Sequence, residues 1–414
     1  MTHPLTRRTF LKGAAGSLAV LAGLYAPLPA FQRRASAAAN GDPILVVVSL
    51  RGGWDALNVV PPAEGEDAVY YQQARPAIYL PSSQLLRLDE RFGLHPALAP
   101  LHELYQDQHL AIVHAVGLPY NTRSHFDAIE YMELGTPGEK SLHAGWLSRA
   151  WQADAFAAEY GLPLIALPSQ PTALLGASQT ISLDALTDLQ LWDGGLLEQQ
   201  LPVLRQLFAG QSPLAQSTQR TLDALDLVKP LLDQDYQPTS GVHYSDDEFS
   251  RHMQTLAQLI KMDTNLRYAT VDYGGWDTHQ DQNYGTEGWL AALLGSLGAG
   301  LSSFYHDIER EHGRRVTVVV MSEFGRRLVQ NESRGTDHGH GGVMLVLGGQ
   351  VRGGQVHGQW PGLANDQLYE RSDLAVTTDY RQVLSEILQT PMQNPGLAQI
   401  FPGFVPQAGL GLFG

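Results

Sequence analysis

The sequence predicts an α/β protein built around a mostly parallel sheet. Two runs, Ile44–Leu50 and Val316–Met321, are apolar and β-branched without alternation. That is the pattern of strands buried on both faces. Helical patterns separate such runs, the longest from Trp289 to His312, as expected of strands joined by crossovers. Glycine-rich loops bearing Asp and His follow the runs, and in such sheets ligands bind beyond the carboxyl ends of strands.

The first residues read as an address. Thr6-Arg7-Arg8-Thr9-Phe10-Leu11-Lys12 has the arginine pair of a twin-arginine export signal. A modestly apolar segment follows to Ala30, and Ala35-Ser36-Ala37 offers a cleavage site, which makes residues 1–37 the signal. A membrane anchor is the alternative, but the segment is short and weakly apolar for a span of about 20 residues. Residues 1–37 hold five of the 27 basic side chains and none of the 42 acidic ones. The mature chain, 38–414, is therefore strongly acidic, which argues against nucleic acid and anionic membranes as partners. A periplasmic or secreted protein is expected, with the twin-arginine machinery as its export partner and no membrane insertion after cleavage. With no cysteine, any metal must be held by carboxylate and imidazole, as suits zinc, manganese, magnesium or calcium, of which zinc or manganese is expected.

In chain order, Ile44–Leu50 leads into Arg51-Gly52-Gly53-Trp54-Asp55. Asp55 is a ligand candidate at the end of the first strand, or else a helix cap. Residues 61–92 read as an irregular excursion, Leu94–Gln106 as a helix and Leu110–Val116 as a second buried strand. The loop Gly117–Asp127 then starts a helix running to Leu134. Free N–H groups there suit an anion. Arg123 is the candidate to hold that anion, and Ser124 the candidate nucleophile. Ser124 reads equally well as an N-cap, with Asp127 completing a weak capping box.

Leu162–Leu167 is a further strand. From about 181 to 262 leucines recur at helical spacing and no strand is evident, so a helical insertion is expected. Its histidines, His243 and His252, read as surface or packing residues. Leu266–Tyr273 resumes the sheet and delivers Gly274-Gly275-Trp276-Asp277-Thr278-His279. Asp277 and His279 are close enough to share one ion, and Asp272 is a lesser candidate. Val316–Met321 delivers Glu323, placed as a ligand or general base, and Arg326-Arg327, which either bind an anion or pair with surface acids. The densest cluster is Gly335-Thr336-Asp337-His338-Gly339-His340-Gly341-Gly342, which puts a carboxylate and two imidazoles in four residues. Strand Val343–Leu347, a hairpin turn at Gly348–Gly354 and a helix Thr378–Gln389 complete the chain.

The Arg-Gly-Gly-Trp-Asp, Gly-Gly-Trp-Asp-Thr-His, Ser-Glu-Phe-Gly-Arg and Gly-Thr-Asp-His-Gly motifs, with the export signal, resemble the exported family catalogued as domain of unknown function 1501. The resemblance spans about residues 40–405. That family is usually placed beside alkaline phosphatases, sulfatases and cofactor-independent phosphoglycerate mutases. The resemblance implies a doubly wound sheet with helices on both faces, and divalent metal bridging a Ser or Thr nucleophile. It sets Asp55 as the first metal aspartate, Ser124 as nucleophile and Asp277 with His279 as the paired ligands of one ion. The Asp-His-Gly usual at the late strand is Glu323-Phe324-Gly325 here. Asp337 and His338 are then expected to supply the lost ligands, with His340 or His357 as the last, on one ion or two.

The expected function is a metal-dependent hydrolase of a small anionic phosphate or sulfate ester, using a metal-activated Ser124 or water. A non-catalytic binding protein on the same scaffold is the rival, since fold does not settle function.

Overall fold

The computed structural model describes residues 41–157, 161–189, 197–232, 236–282 and 286–414. The export signal read over residues 1–37 lies outside them. The strands are β1 Ile44–Leu50, β2 Leu86–Arg87, β3 Gly93–Leu94, β4 Leu110–Gly117, β5 Leu164–Leu167, β6 Thr180–Ser182 and β7 Tyr268–Tyr273. They continue with β8 Val316–Ser322, β9 Arg326–Gln330, β10 Thr336–His338, β11 Gly342–Gly348, β12 Val356–His357 and β13 Thr378–Asp379.

The main sheet runs β12-β4-β11-β8-β1-β7-β5-β6, with β13 also against β4. Its pairings are parallel except those of β11, which is antiparallel to both neighbours. β1, β4, β7 and β8 therefore end at one edge, and β11 begins there. The loops after those four strands and the loop before β11 meet on that edge. β9 and β10 form a separate two-stranded ribbon above it.

Alternation along β1 divides the core. Ile44, Val46, Val48 and Leu50 pack with apolar stripes of helices Ala99–Gln106, Glu248–Lys261 and Trp289–His312. Leu45 and Val47 face the opposite side, with helices His125–Leu134, Trp146–Ala153 and Tyr380–Gln389. Helices thus cover both faces of a mixed, mostly parallel sheet, as the fold class required. Each fully buried Val or Leu contributes on the order of 1.5–3 kcal/mol, which makes this the rigid platform for the loops.

Some sequence expectations differ. Residues 61–92 contain a helix, Gly65–Ala74. Gly348–Gly354 does not close a hairpin, because β12 pairs with β4 and not with β11. The final helix starts at Tyr380, since Thr378 and Asp379 are held extended against β4 and Asp379 caps the helix. The stretch 181–262 contains helices Leu197–Leu207, Pro213–Leu232 and Glu248–Lys261. Asp307 ties its end to the sheet-covering helix by accepting from Tyr236, Tyr244, Lys261 and the Thr239 N–H. Among the described residues, no helix is long and apolar enough to cross a membrane.

Candidate metal centre

The buried guanidinium of Arg326 gathers the loops. It donates to the carbonyls of Gly52 and Gly53 after β1, of Trp276 after β7 and of Thr336 on β10. It also donates to Asp277 Oδ1 at 2.6 Å. The backbones approach closely enough that a Cβ on Gly52 would collide with the Asp277 nitrogen. Gly52 also has φ +129°, a region that L side chains rarely adopt. Trp54 and Trp276, from the two Gly-Gly-Trp-Asp loops, meet edge to face at 5.7 Å beneath this junction.

Four side chains converge there. His125 opens the helix after β4, Asp277 and His279 follow β7, and His338 ends β10. His338 Nε2 lies 3.0 Å from each of His125 Nε2, His279 Nε2 and Asp277 Oδ1. His279 Nε2 is also 3.0 Å from Asp277 Oδ1, and His125 Nε2 is 3.4 Å from Asp277 Oδ2. His125, Asp277 and His338 place one ligand atom each within 4.8 Å of one another.

Each ring is held from behind. His125 Nδ1 faces Glu323 Oε1 at 2.7 Å, His279 Nδ1 faces Asp337 Oδ1 at 3.1 Å, and His338 Nδ1 faces the Arg123 carbonyl at 2.8 Å. These acceptors assign the proton to Nδ1 in all three rings. Their Nε2 lone pairs then point at one another. A proton relieves one such contact, whereas a divalent cation relieves all of them. Tetrahedral zinc with bonds near 2.0–2.1 Å would set its ligand atoms roughly 3.3 Å apart, close to the separations seen. An acceptor behind each metal-facing imidazole is also the usual supporting shell of such a site. The residues therefore fit a divalent ion.

Electrostatics agree. Burial pushes the Asp277 carboxyl up, but the hydrogen bond and positive charge of Arg326 outweigh it and help to hold it at about 2. The Glu323 hydrogen bond raises His125, while burial lowers His338. Burial pushes Glu323 up, but its hydrogen bonds with His125, a backbone N–H and the Ser322 hydroxyl together hold it below the ordinary carboxylate range. The other such group among the described residues is Asp184, Glu248 and His252. There His252 Nε2 already meets Asp184 at 2.7 Å.

The family profile described as Protein of unknown function (DUF1501) matches residues 95–399. The chain belongs to that family. No curated protein matches it. Among solved structures, the C-terminal periplasmic domain of EcEptC from Escherichia coli, in complex with Zn, is similar at 11% identity and TM-score 0.31, over 75% of this chain and 74% of that one. The phosphonate monoester hydrolase of Agrobacterium radiobacter is similar at 10% identity and TM-score 0.33, over 89% and 78%. The TAB5 alkaline phosphatase mutant with bound Mg is similar at 9% identity and TM-score 0.27, over 74% and 91%. These likenesses are weak, and the fold described above stands on its own strand order.

In this DUF1501 member the other expected site residues either support the cluster or are engaged with other partners. Glu323 is buried and orients His125, and it also accepts from the Gly52 N–H. Asp337 orients His279 and accepts from Asn331. Asp55 is diverted. It is fully buried, with both oxygens taken by Arg75 at 2.5 and 2.9 Å and a further bond from Gln282. Ser124 is the N-cap, accepting from the Asp127 N–H. Arg123 pairs with Asp373 and Glu370. His340 stacks on Tyr369 at 4.2 Å, and its neutral form is favoured by burial. His357 faces the Leu410 carbonyl, and Asp272 pairs with Arg51.

Sequence reasoning missed His125 and misplaced Arg326, which is an internal bracket and not a surface cation. Its buried neighbours leave it no contact with solvent anions, because its side chain is fully covered. His125 sat in plain view beside Ser124. An imidazole at the first helical position after a buried strand was the available signal, and the serine drew the chemistry instead.

Proposed function

We propose that this protein is an exported, divalent-metal-dependent hydrolase of small phosphate or sulfate esters. The observation that carries the reading is the convergence of His125, Asp277, His279 and His338 at the carboxyl edge of the sheet, with three imidazole lone pairs turned inward. Three imidazoles and one carboxylate suit zinc first and manganese second. One ion suits His125, Asp277 and His338, whose ligand atoms lie within 4.8 Å of one another, with His279 beside Asp277 and His338. When bound, such an ion polarises an ester oxygen and lowers the pKa of a coordinated water or hydroxyl.

The chain's own residues would do the rest. Glu323, Asp337 and the Arg123 carbonyl hold the imidazoles in one tautomer. Arg326 keeps Asp277 ionised and aimed at the centre. The ester class is supported by Arg123, whose guanidinium belongs to the residue whose carbonyl holds His338. It is supported too by the family's usual placement beside phosphatases and sulfatases. Ser124 makes no hydrogen bond to the four-residue cluster among the described residues, which favours water as nucleophile. Export is supported by Arg7-Arg8 and the segment after it.

The test is metal analysis of the purified mature protein, followed by assays on aryl phosphate and aryl sulfate esters. Near-stoichiometric zinc or manganese, with hydrolysis lost on chelation and restored by the ion, is the expected result. A folded protein that binds no metal and cleaves no ester sinks the reading and leaves the binding-protein rival.

A further inference from the structure

We propose that Asn121 and Arg123 form an oxyanion-binding site beside the metal centre, and that Glu370 occupies it in the free protein as a displaceable internal carboxylate. The proposal deepens the hydrolase reading and rests on it only for what the arriving anion is attached to.

Both oxygens of Glu370 are gripped by one loop. Arg123 Nη2 donates to Oε2 at 2.7 Å, and Asn121 Nδ2 donates to Oε1 at 3.1 Å. A guanidinium and an amide around a carboxylate make the donor set that would hold two oxygens of a phosphate or sulfate. The site adjoins the metal cluster through the chain itself. The Arg123 carbonyl accepts from His338 Nδ1, and His125 follows two residues later.

The two acids on Arg123 are not equivalent. Asp373 is fully buried and takes both Nε and Nη2 on Oδ2, at 3.2 and 2.6 Å. It fixes the guanidinium. Glu370 is 46% exposed and reaches in from a turn tip. Arg123 Nη1 makes no hydrogen bond among the described residues and is left for a third oxygen.

Glu370 sits at the tip of a tight turn whose base is anchored. Tyr369 and Asp373 exchange backbone hydrogen bonds at 2.9 and 3.1 Å, and the Tyr369 ring is stacked on His340. Between these anchors, Glu370 and Arg371 have φ +49° and +57°. Non-glycine residues adopt that region only at a cost. An exposed ion pair held by such a tip is weak. A dianion arriving from solvent competes with it on charge and on oxygen count.

Titration calorimetry of the metal-loaded protein with inorganic phosphate, and separately with sulfate, tests this. Glu370→Ala is expected to bind both about fivefold more tightly, the equilibrium worth of losing an exposed ion-pair competitor. Adding Asn121→Ala to that variant should reverse most of the gain. Unchanged or weaker affinity in folded Glu370→Ala overturns the proposal. So does a gain that Asn121→Ala leaves untouched, since the anion then sits elsewhere. Metal content and ester cleavage on the same samples separate the two readings. Cleavage that persists while anion affinity ignores Glu370 removes this inference alone. Anion affinity that responds to Glu370 while no ester is cleaved upholds it and removes the hydrolase reading alone.

Discussion

His125 Nε2 faces His338 Nε2 at 3.0 Å, and each ring directs Nδ1 to an acceptor behind it. Without a cation between them, two lone pairs at that distance repel. Removing the central ring should therefore remove the ion. His338→Ala is expected to keep its fold, because the side chain is partly exposed and fills no core cluster. Its zinc or manganese content, by elemental analysis, should fall below about a tenth of wild type. Equal content in both proteins would place the ion elsewhere.

Glu323 tests the shell behind the ligands. Its carboxylate holds His125 and the Gly52 N–H and receives the Ser322 hydroxyl. Glu323→Gln keeps the size and loses the charge. Removal of such an orienting partner typically weakens metal affinity about 10- to 100-fold. Competition with a chelator of known affinity would measure it, and an unchanged constant would reduce Glu323 to a structural role.

The sheet was legible in the sequence because its strands announce themselves. Val316–Met321 and Ile44–Leu50 are mostly β-branched runs, each interrupted by a single small hydroxyl residue, Thr317 or Ser49, and by no charge. Asp277 and His279 were legible because they sit in the loop that follows a sheet strand, and His338 because it lies in the dense Asp-His-Gly-His cluster just before another. What was not legible depended on partners distant in sequence. Asp55 and Asp277 share the Gly-Gly-Trp-Asp motif, yet only one reaches the metal cluster. The first loop has an extra residue, Arg51, after its strand, and its aspartate is captured by Arg75, 20 residues on. β9 and β10 went unread because Arg326-Arg327 read as anion-binding or surface charges, whereas Arg326 is fully buried and answered by carbonyls from two loops and from β10.

Asp55 gives a prediction that separates these roles. Its pair with Arg75 is fully buried and also engages Asn58 and Gln282. Breaking one partner of a buried pair commonly costs about 3–5 kcal/mol, because the other charge is left uncompensated. Asp55→Asn should lower the unfolding free energy from denaturant titration by an amount of that order while the folded fraction keeps its metal. Loss of metal without loss of stability would restore Asp55 as a ligand.

Ser124 is distinguished from a nucleophile in a similar way. As an N-cap it accepts the Asp127 N–H, and replacing such a cap by alanine costs about 1 kcal/mol. Ser124→Ala should show that modest loss of stability and less than about a tenfold fall in kcat on the ester found active. A fall of several orders of magnitude, or a trapped covalent phosphoserine in the wild type, would make the hydroxyl the attacking group.

Stability should also fall on mild acidification, and His114 is one identifiable cause. It is buried on β4 between Phe92 and Trp360, with ring centroids at 5.1 and 4.7 Å. Its Nε2–H donates to the Val60 carbonyl, and Nδ1 accepts the Ala115 N–H, each at 2.9 Å. The neutral ring is thus fully satisfied, and burial lowers its pKa from 6.5 to about 4. Between those values the unfolded chain binds a proton that the folded chain refuses. Stability from this group is complete above pH 6.5 and is lost as pH falls toward 4. Each pH unit in the window is worth about 1.4 kcal/mol, or roughly 3 kcal/mol across it. His95, also lowered to about 4 by burial, adds a slope of the same sign. Subtracting the stability curve of His114→Gln from that of wild type isolates His114. A difference that shrinks toward acid by about one proton per molecule is expected, and parallel curves from pH 7 to 4 would show that this imidazole does not contribute.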